Sequence, residues 1–429
     1  MTLVLVVLFG LMLLGIPVAF AILSAGMAYL ATTGGSMLVV AQRLIYGLNS
    51  FTLLAVPLFI LVGNLMDFGG ISKRLTDWAK SILGWLPGGL GIVTVFSCAI
   101  FAALTGSGPA TVAAIGSIML PSMLKAGYSR ETSAGLVASA GALGPIIPPS
   151  IPMIIYGVTM NLSIPAMFMA GVVPGLVIAL ALSLVNVVFA YRNPEVLKHA
   201  KTMKFDFKES MKLFWKALGA LGLPVLILGG IYGGIFTPTE SAAVGIVYAL
   251  ILGFALKELK VKDLPKILIN SLKTSTMVNF IIAAASLFSW VVSKSQIGIV
   301  ISNAFISFVG GSQALYLFVL VVVLLIVGCL MDNVAATLIL APILIPVGIA
   351  LGCNELHIGM LFCICLVVGF VTPPFGYNLF TAGSISGLNF KQIVKGALPF
   401  LLTEILLLFV FAYVPGIITW LPRLMGYGY

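Results

Sequence analysis

Long apolar runs recur from one end of the chain to the other, separated by short polar or Pro/Gly-rich joints. Runs over residues 3–31, 51–68, 165–191, 215–236, 241–256, 274–292 and 393–414 read as membrane-crossing helices. The first is too long for a signal-peptide core and reads as a retained helix. Residues 37–49 are less hydrophobic, carry Gln42 and Arg43, and read as a segment lying along the surface. Residues 71–80 read as a charged turn, and the amphipathic, basic stretch 257–273 as a helix lying in the interface.

One apolar run, 131–160, is long enough to span a bilayer but holds GALGPIIPPSIP at its middle. Pro145, Pro148, Pro149 and Pro152 each lack a backbone donor and bias the preceding residue away from helical geometry, so they cannot share one helix. The helix must stop near Gly144 and restart near Ser150. Bare backbone at membrane depth is tolerated only against protein or a water-filled cavity, so the break marks either a ligand site or a packing kink. The pattern recurs in GFVTPPFGYN: a shift of 225 residues carries Gly144 onto Gly369 and Pro148-Pro149 onto Pro373-Pro374. Paired interruptions in two halves are the sequence mark of a secondary-transporter site.

Before each broken helix the pattern gives a hairpin. Residues 88–104 run in, Thr105-Gly106-Ser107-Gly108 turn, and 109–124 run out, with Pro109 at the first helical position and Ser107 or Gly108 as cap. Arms of about 16 residues reach roughly 24 Å. They read either as a re-entrant hairpin or as two short spans. The second hairpin covers 313–351, with its tip at Met331-Asp332-Asn333. The expected fold is therefore an all-α polytopic membrane protein of two inverted repeats. Residues 1–200 hold the hairpin 88–124 and broken helix 131–160, and residues 201–429 hold the hairpin 313–351 and broken helix 357–384.

Composition agrees with this class: 61% of residues are hydrophobic and 8% charged. The net charge of +10 comes from short loops and does not point to nucleic acid. With the N-terminus in the cytoplasm and both hairpins re-entrant, the loops at 72–80, 125–130, 192–216, 257–273 and 391–395 are cytoplasmic and hold 19 of the 22 basic residues. Cys98, Cys329, Cys353, Cys363 and Cys365 read as packing residues, Glu240 as a helix cap, and His199 and His357 as solvated membrane-edge residues. Glu404 is either structural or turned to a partner subunit.

The candidate chemistry lies where half-helices start and stop near the midplane. Helix starts offer free N–H groups and positive partial charge to an anion, and helix ends offer carbonyls to a desolvated Na⁺. Hard cations favour such oxygen ligands. One cation site is expected at Thr105, Gly106, Ser107, Gly108, Gly144, Ile147 and Pro148, and another at Gly328, Met331, Asp332, Asn333, Gly369, Thr372 and Pro373. The anion is expected between them, among Ser107, Thr111, Ser150, Asn333 and Thr372. Asp332 could ligate Na⁺, carry a proton or cap the following helix.

The segments LLAVPLFILVGNLMDFGGI, GSGPATVAAIGSIMLP, GYSRETSAGLVASAGALGPIIPPSIPMIIYG, GGIFTPTESAAVG and GFVTPPFGYNLF, in this order, resemble the large membrane subunit of TRAP (tripartite ATP-independent periplasmic) transporters. The resemblance covers nearly the whole chain. It implies a multi-pass protein of the bacterial inner membrane and an elevator-type, Na⁺-coupled importer of organic acids, with no other cofactor. Sialic acid is the first expectation and a C4-dicarboxylate the second. It also implies two partners, a small membrane subunit and a periplasmic substrate-binding protein.

Other classes fit less well. The chain has no Gly-Lys dipeptide and so no Walker A loop for an ATP-driven pump. Gly106-Ser107-Gly108 has no histidine on a segment reaching the midplane, as a serine protease would require. A channel is the alternative, because re-entrant hairpins also build pores.

Overall fold

The computed structural model describes residues 2–428; residues 1 and 429, at the ends of the two expected halves, and the side chains of residues 2, 5, 13 and 297–301 lie outside that description. Among the described residues the regular secondary structure is all helix, with no strand.

In chain order the first helices are α1 (Thr2–Leu13), α2 (Val18–Thr33), α3 (Leu38–Leu48), α4 (Ala55–Phe68) and α5 (Ile71–Leu83). The first hairpin is α6 (Gly89–Thr105) and α7 (Gly108–Lys125). The first broken span is α8 (Arg130–Gly141) and α9 (Ile151–Met160), followed by α10 (Ile164–Tyr191). The middle of the chain gives α11 (Pro194–Thr202), α12 (Phe207–Tyr232), α13 (Pro238–Ala255), α14 (Leu264–Lys294) and α15 (Ile297–Val309). The second hairpin is α16 (Gln313–Leu330) and α17 (Asn333–Ala350). The second broken span is α18 (Glu355–Gly369) and α19 (Tyr377–Ser386), and α20 (Phe390–Tyr413) and α21 (Gly416–Leu424) close the chain. Hairpin, broken span and long helix thus occur twice in the same order.

Each interruption has a backbone cause. The first broken span stops at Gly141 and resumes when Ser150 accepts the Met153 N–H at 3.4 Å. The second stops at Gly369 and resumes at Tyr377. Pro148-Pro149 and Pro373-Pro374 are both joined by cis peptide bonds. At the first hairpin, Ser107 caps α7 by its extended backbone alone, Gly108 is the first helical residue, and Pro109 comes second rather than first. At the second, Asp332 caps α17 by accepting from Val334 N at 2.9 Å, which leaves Met331-Asp332 as the tip and Asn333 inside the helix.

Glycine lets both tips press on both breaks. A Cβ at Gly144 would stand 2.5 Å from the Ser107 carbonyl oxygen, and one at Gly369 2.5 Å from the Gly328 Cα. The breaks fall halfway along their spans, since α8 has 12 residues and α9 has 10. Both tips thus meet the middle of a broken span, as the re-entrant reading expects, although both arms of the second hairpin are themselves long and apolar enough to cross a membrane. The hairpin–break assembly forms the centre of the core: α18 is buried from Leu356 to Gly369.

Several expected elements take another form. The run 3–31 is two helices, because Gly15 at φ +79° and Pro17 end the first and start the second. Residues 71–80 are not a turn but part of α5, whose buried Ile71, Ser72, Leu75, Thr76 and Ala79 share one face while its charges occupy the other. Residues 257–273 do not form a separate interfacial helix. From Leu264 onward they run straight into α14, whose 31 residues give roughly 46 Å, longer than the hydrocarbon core, so basic first turns can project beyond it. The span expected from 215 begins at Phe207 under an Asp206 cap, and α15 and α21 were not anticipated. Segment 37–49 matches α3, which has no buried residue and meets α4 at a 69° bend.

One single-residue expectation also changes, and the two readings of Glu404 narrow to the structural one. His357 is not solvated: it is 2% exposed, and its Nε2 lies 2.8 Å from the Phe411 carbonyl oxygen. Glu404 is 1% exposed inside this chain, so it does not face a partner. Glu240 does cap α13, in a reciprocal box with Thr237. The five cysteines are all buried and free.

Candidate functional site

A cavity of ≈ 420 Å³ lies where the two hairpin tips face α4 and α14. The first residues of all four half-helices line it: Gly108-Pro109-Ala110 of α7, Ile151-Pro152 of α9, Asn333-Val334 of α17 and Tyr377 of α19. Four helix N-termini, each the positive end of a helix dipole, converge on one space, although Ser150, Asp332 and the Phe370 carbonyl already take first-turn N–H groups of α9, α17 and α19. No Lys, Arg or His is among the lining residues, so these helix ends are its positive poles.

Of the residues expected from sequence, Thr105, Gly106, Ser107, Gly108, Asp332 and Asn333 line this cavity. Ser107 makes no side-chain capping bond. Asn333 is 2% exposed, and neither its Oδ1 nor its Nδ2 is hydrogen-bonded within the chain. An amide left so is costly unless something else partners it.

The other expected residues lie behind the wall. Thr111 is fully buried; its hydroxyl donates to the Ser107 carbonyl at 2.8 Å and lies 3.2 Å from the Thr105 hydroxyl. Ser150 is fully buried and donates to the Pro145 carbonyl at 2.6 Å. Thr372 donates to the Val368 carbonyl at 3.0 Å. These three hydroxyls hold the breaks and tips rather than face the cavity. Gly144, Ile147 and Pro148 form the first break, and Gly328, Met331, Gly369 and Pro373 the second tip–break contact; none of them lines the cavity.

Sequence reading missed the opposite wall. Ile60, Gly63, Asn64 and Asp67 of α4 line it at spacings of three and four, one helical face, with Thr274, Met277 and Val278 of α14. Asn64 Nδ2 donates to Ser271 Oγ at 2.8 Å and ties the two helices. The spacing within GNLMD was visible, but which face turned inward was not. Asp67 also borders an adjoining recess of ≈ 280 Å³ that holds Ser72, Lys73 and Ser117.

Asn378 was missed as well. It is fully buried at the start of α19, and its Nδ2 donates to the Ala138 carbonyl at 3.0 Å, joining the second broken span to the first.

The family description "Tripartite ATP-independent periplasmic transporter, DctM component" matches residues 5–417. The chain belongs to that family. It is 39% identical to the C4-dicarboxylate TRAP transporter large permease protein DctM of Pseudomonas aeruginosa over 94% of each chain. It is 34% identical to the sialic acid large permease SiaM of Vibrio cholerae over 98% of each. A 39% match to the isethionate permease protein DctMQ of Oleidesulfovibrio alaskensis covers 95% of this chain but 64% of that one. In fold it is similar to the Alcanivorax borkumensis YdaH transporter, with a TM-score of 0.60, 14% identity, and 94% of this chain and 89% of that one covered. The permease is thus a multi-pass inner-membrane transport subunit and not an enzyme.

Proposed function

We propose that this permease is the membrane-embedded half of a Na⁺-coupled secondary importer of organic acids. It works by alternating access between two inverted repeats, residues 1–200 and 201–429. The hairpins and broken spans move as one body, elevator-fashion, against a scaffold that includes α4 and α14. The observation that carries this reading is the convergence of four helix N-termini on a cavity with no basic side chain. Such a cavity attracts a carboxylate through fixed dipoles but leaves its charge for bound cations to offset. Carbonyls at the tip–break contacts and the oxygens of Thr105, Ser107, Asp332, Asn333 and Thr372 are the proposed Na⁺ ligands.

The partners proposed are a small membrane subunit and a periplasmic binding protein, as the family's "tripartite" name implies. The relatives are named for a dicarboxylate, a sialic acid and a sulfonate, all organic anions. Within that class sialic acid is the first candidate and a C4-dicarboxylate the second.

The test is uptake by proteoliposomes holding the permease with its genomic partners. Replacing Na⁺ by choline should abolish accumulation, and preloaded vesicles should show counterflow. Uptake driven by a pH gradient without Na⁺ would overturn the coupling, and flux without counterflow would mean a channel.

A further inference from the structure

Far from the central cavity, α12 and α13 leave an apolar groove of ≈ 410 Å³ between them. Leu226 lines one side, and Ala243, Val244, Val247, Tyr248 and Ile251 line the other. Val247 and Ile251 are exposed, so the groove opens away from the chain, toward lipid. Two glycines set the register of the pair. A Cβ at Gly222 would stand 2.5 Å from Tyr248 Oη, and one at Gly219 2.5 Å from Leu252 Cδ1. Tyr248 Oη donates to the Gly219 carbonyl at 2.8 Å.

The groove leads to a row of lysines. Lys208, Lys212, Trp215, Gly219, Gly222 and Leu226 follow at steps of three and four and so share one face of α12, and Lys216 continues the row of lysines. The 26 residues of α12 give roughly 39 Å, more than the ~30 Å hydrocarbon core. Its first turns therefore reach headgroup level, at the end where the basic loops lie. Exposed Trp215 falls where interfacial aromatic side chains gather. Because Leu252 faces Gly219, Lys257, just past the end of α13, comes level with the turn from Lys212 to Lys216. All four lysines are exposed. None has an ion-pair partner among the described residues, where Glu258 is held by Arg74 at 3.1 Å and Asp206 caps α12. Glu209 is the remaining acid of this turn, and it offsets one of the four.

We propose that this groove is a binding site for an anionic phospholipid. Lys208, Lys212 and Lys216, with Lys257, hold the phosphate, and one acyl chain lies between α12 and α13. Basic pockets between transmembrane helices at the cytoplasmic face take such headgroups, and the lysine stems reach up from apolar surface to meet them. A protein partner would have to bring acids to headgroup depth and also fill a slot between two helices. A lipid of the surrounding leaflet supplies both. The site is independent of which solute the permease carries.

The permease with its small membrane subunit is reconstituted in nanodiscs of equal parts phosphatidylglycerol and phosphatidylcholine with the same acyl chains. After extraction, retained lipid is counted by native mass spectrometry. The wild type should retain phosphatidylglycerol over phosphatidylcholine by about tenfold. Lys208→Gln, Lys212→Gln and Lys216→Gln together should remove most of that preference. The same loss of charge beside α11, through Lys198→Gln, Lys201→Gln and Lys204→Gln, should leave it nearly intact. Val247→Trp, which fills the groove and keeps every lysine, should lower retention of phosphatidylglycerol. Equal retention of the two lipids by the wild type would overturn the proposal. Equal losses in the two triple variants would also do so, by showing diffuse charge rather than a site. Unchanged retention in Val247→Trp would take the acyl chain out of the groove. Loss of the small subunit from the α12 or Val247 variants, with phosphatidylglycerol still bound, would assign this face to that subunit instead.

Discussion

The side-chain amide of Asn378, in the second broken span, donates to the carbonyl of Ala138, in the first, at 3.0 Å. A Cβ at Gly108 would stand 2.8 Å from Asn378 Oδ1, so the same side chain also abuts the first hairpin tip. One residue of the second broken span therefore touches both the first broken span and the first hairpin tip. Asn378→Ala should lower stability by about 1–3 kcal/mol, the cost of a lost buried hydrogen bond and an unpaired carbonyl. Asn378→Asp should cost more, because it removes the donor and buries a charge beside a carbonyl. Thermal unfolding of the purified variants checks both; equal midpoints for wild type and Asn378→Asp would show that the bond does not tie the halves.

The tip–break contacts give a second test. Gly144 and Gly369 hold equivalent places in the two halves, and at each an added methyl meets backbone that cannot swing aside. Gly144→Ala and Gly369→Ala should each destabilise by about 1–3 kcal/mol, as overpacking does, and should lower uptake. Gly229→Ala is the control: its Cβ would meet nothing within 4 Å. An ordinary helical position of that kind should change stability by no more than about 0.5–1 kcal/mol, toward greater stability. Matched melting curves for all three variants would mean that the close approach is not maintained in solution.

What could be read from the chain beforehand follows from how local each cause is. Pro148-Pro149 and Pro373-Pro374 interrupt a helix wherever they stand, so both breaks were legible, and the hairpins followed from the turn residues before Pro109 and around Asp332. Asn64 and Asp67 lie within the motif LLAVPLFILVGNLMDFGGI, yet their place on the cavity wall depends on α4 facing the hairpin tips, a tertiary fact. The burial of His357 is hidden for the same reason, and Glu404 stays open between two readings on sequence alone. A single polar residue in an apolar run looks the same whether it meets solvent, a partner or the chain's own core. The charged residues of α5 mask its helix, because the apolar face at Ile71, Leu75 and Ala79 is short and interleaved with them.

Glu404 offers a third test. It is 1% exposed in α20, and neither carboxyl oxygen is hydrogen-bonded within the chain. A carboxyl kept dry and unpaired is an expense that an apolar side chain of similar size avoids. Glu404→Met should therefore leave stability unchanged or raise it by about 1–3 kcal/mol, with Na⁺-driven uptake retained. A lower melting temperature would show that the carboxyl has a partner, and abolished uptake in a stable variant would give it a part in transport.

Asp332 is the residue at which two physical roles can be separated. Its carboxylate lines the cavity and also caps α17 by accepting from Val334 N at 2.9 Å. Asparagine caps a helix about as well as aspartate, whereas alanine loses the cap at a cost of about 0.5–2 kcal/mol. Asp332→Asn thus removes the charge and keeps the cap, and Asp332→Ala removes both. If the charge helps hold Na⁺, both variants should need more Na⁺ for half-maximal uptake, by about tenfold, and only the alanine variant should lose thermal stability. Ser107→Ala, at the matching tip, should also raise the Na⁺ requirement with little change in stability, because that hydroxyl makes no capping bond. Sodium titrations of uptake beside melting curves check all three. Should Asp332→Asn keep the wild-type Na⁺ dependence while Asp332→Ala merely melts earlier, Asp332 is a cap, and the cation ligands at that tip reduce to backbone carbonyls and Asn333.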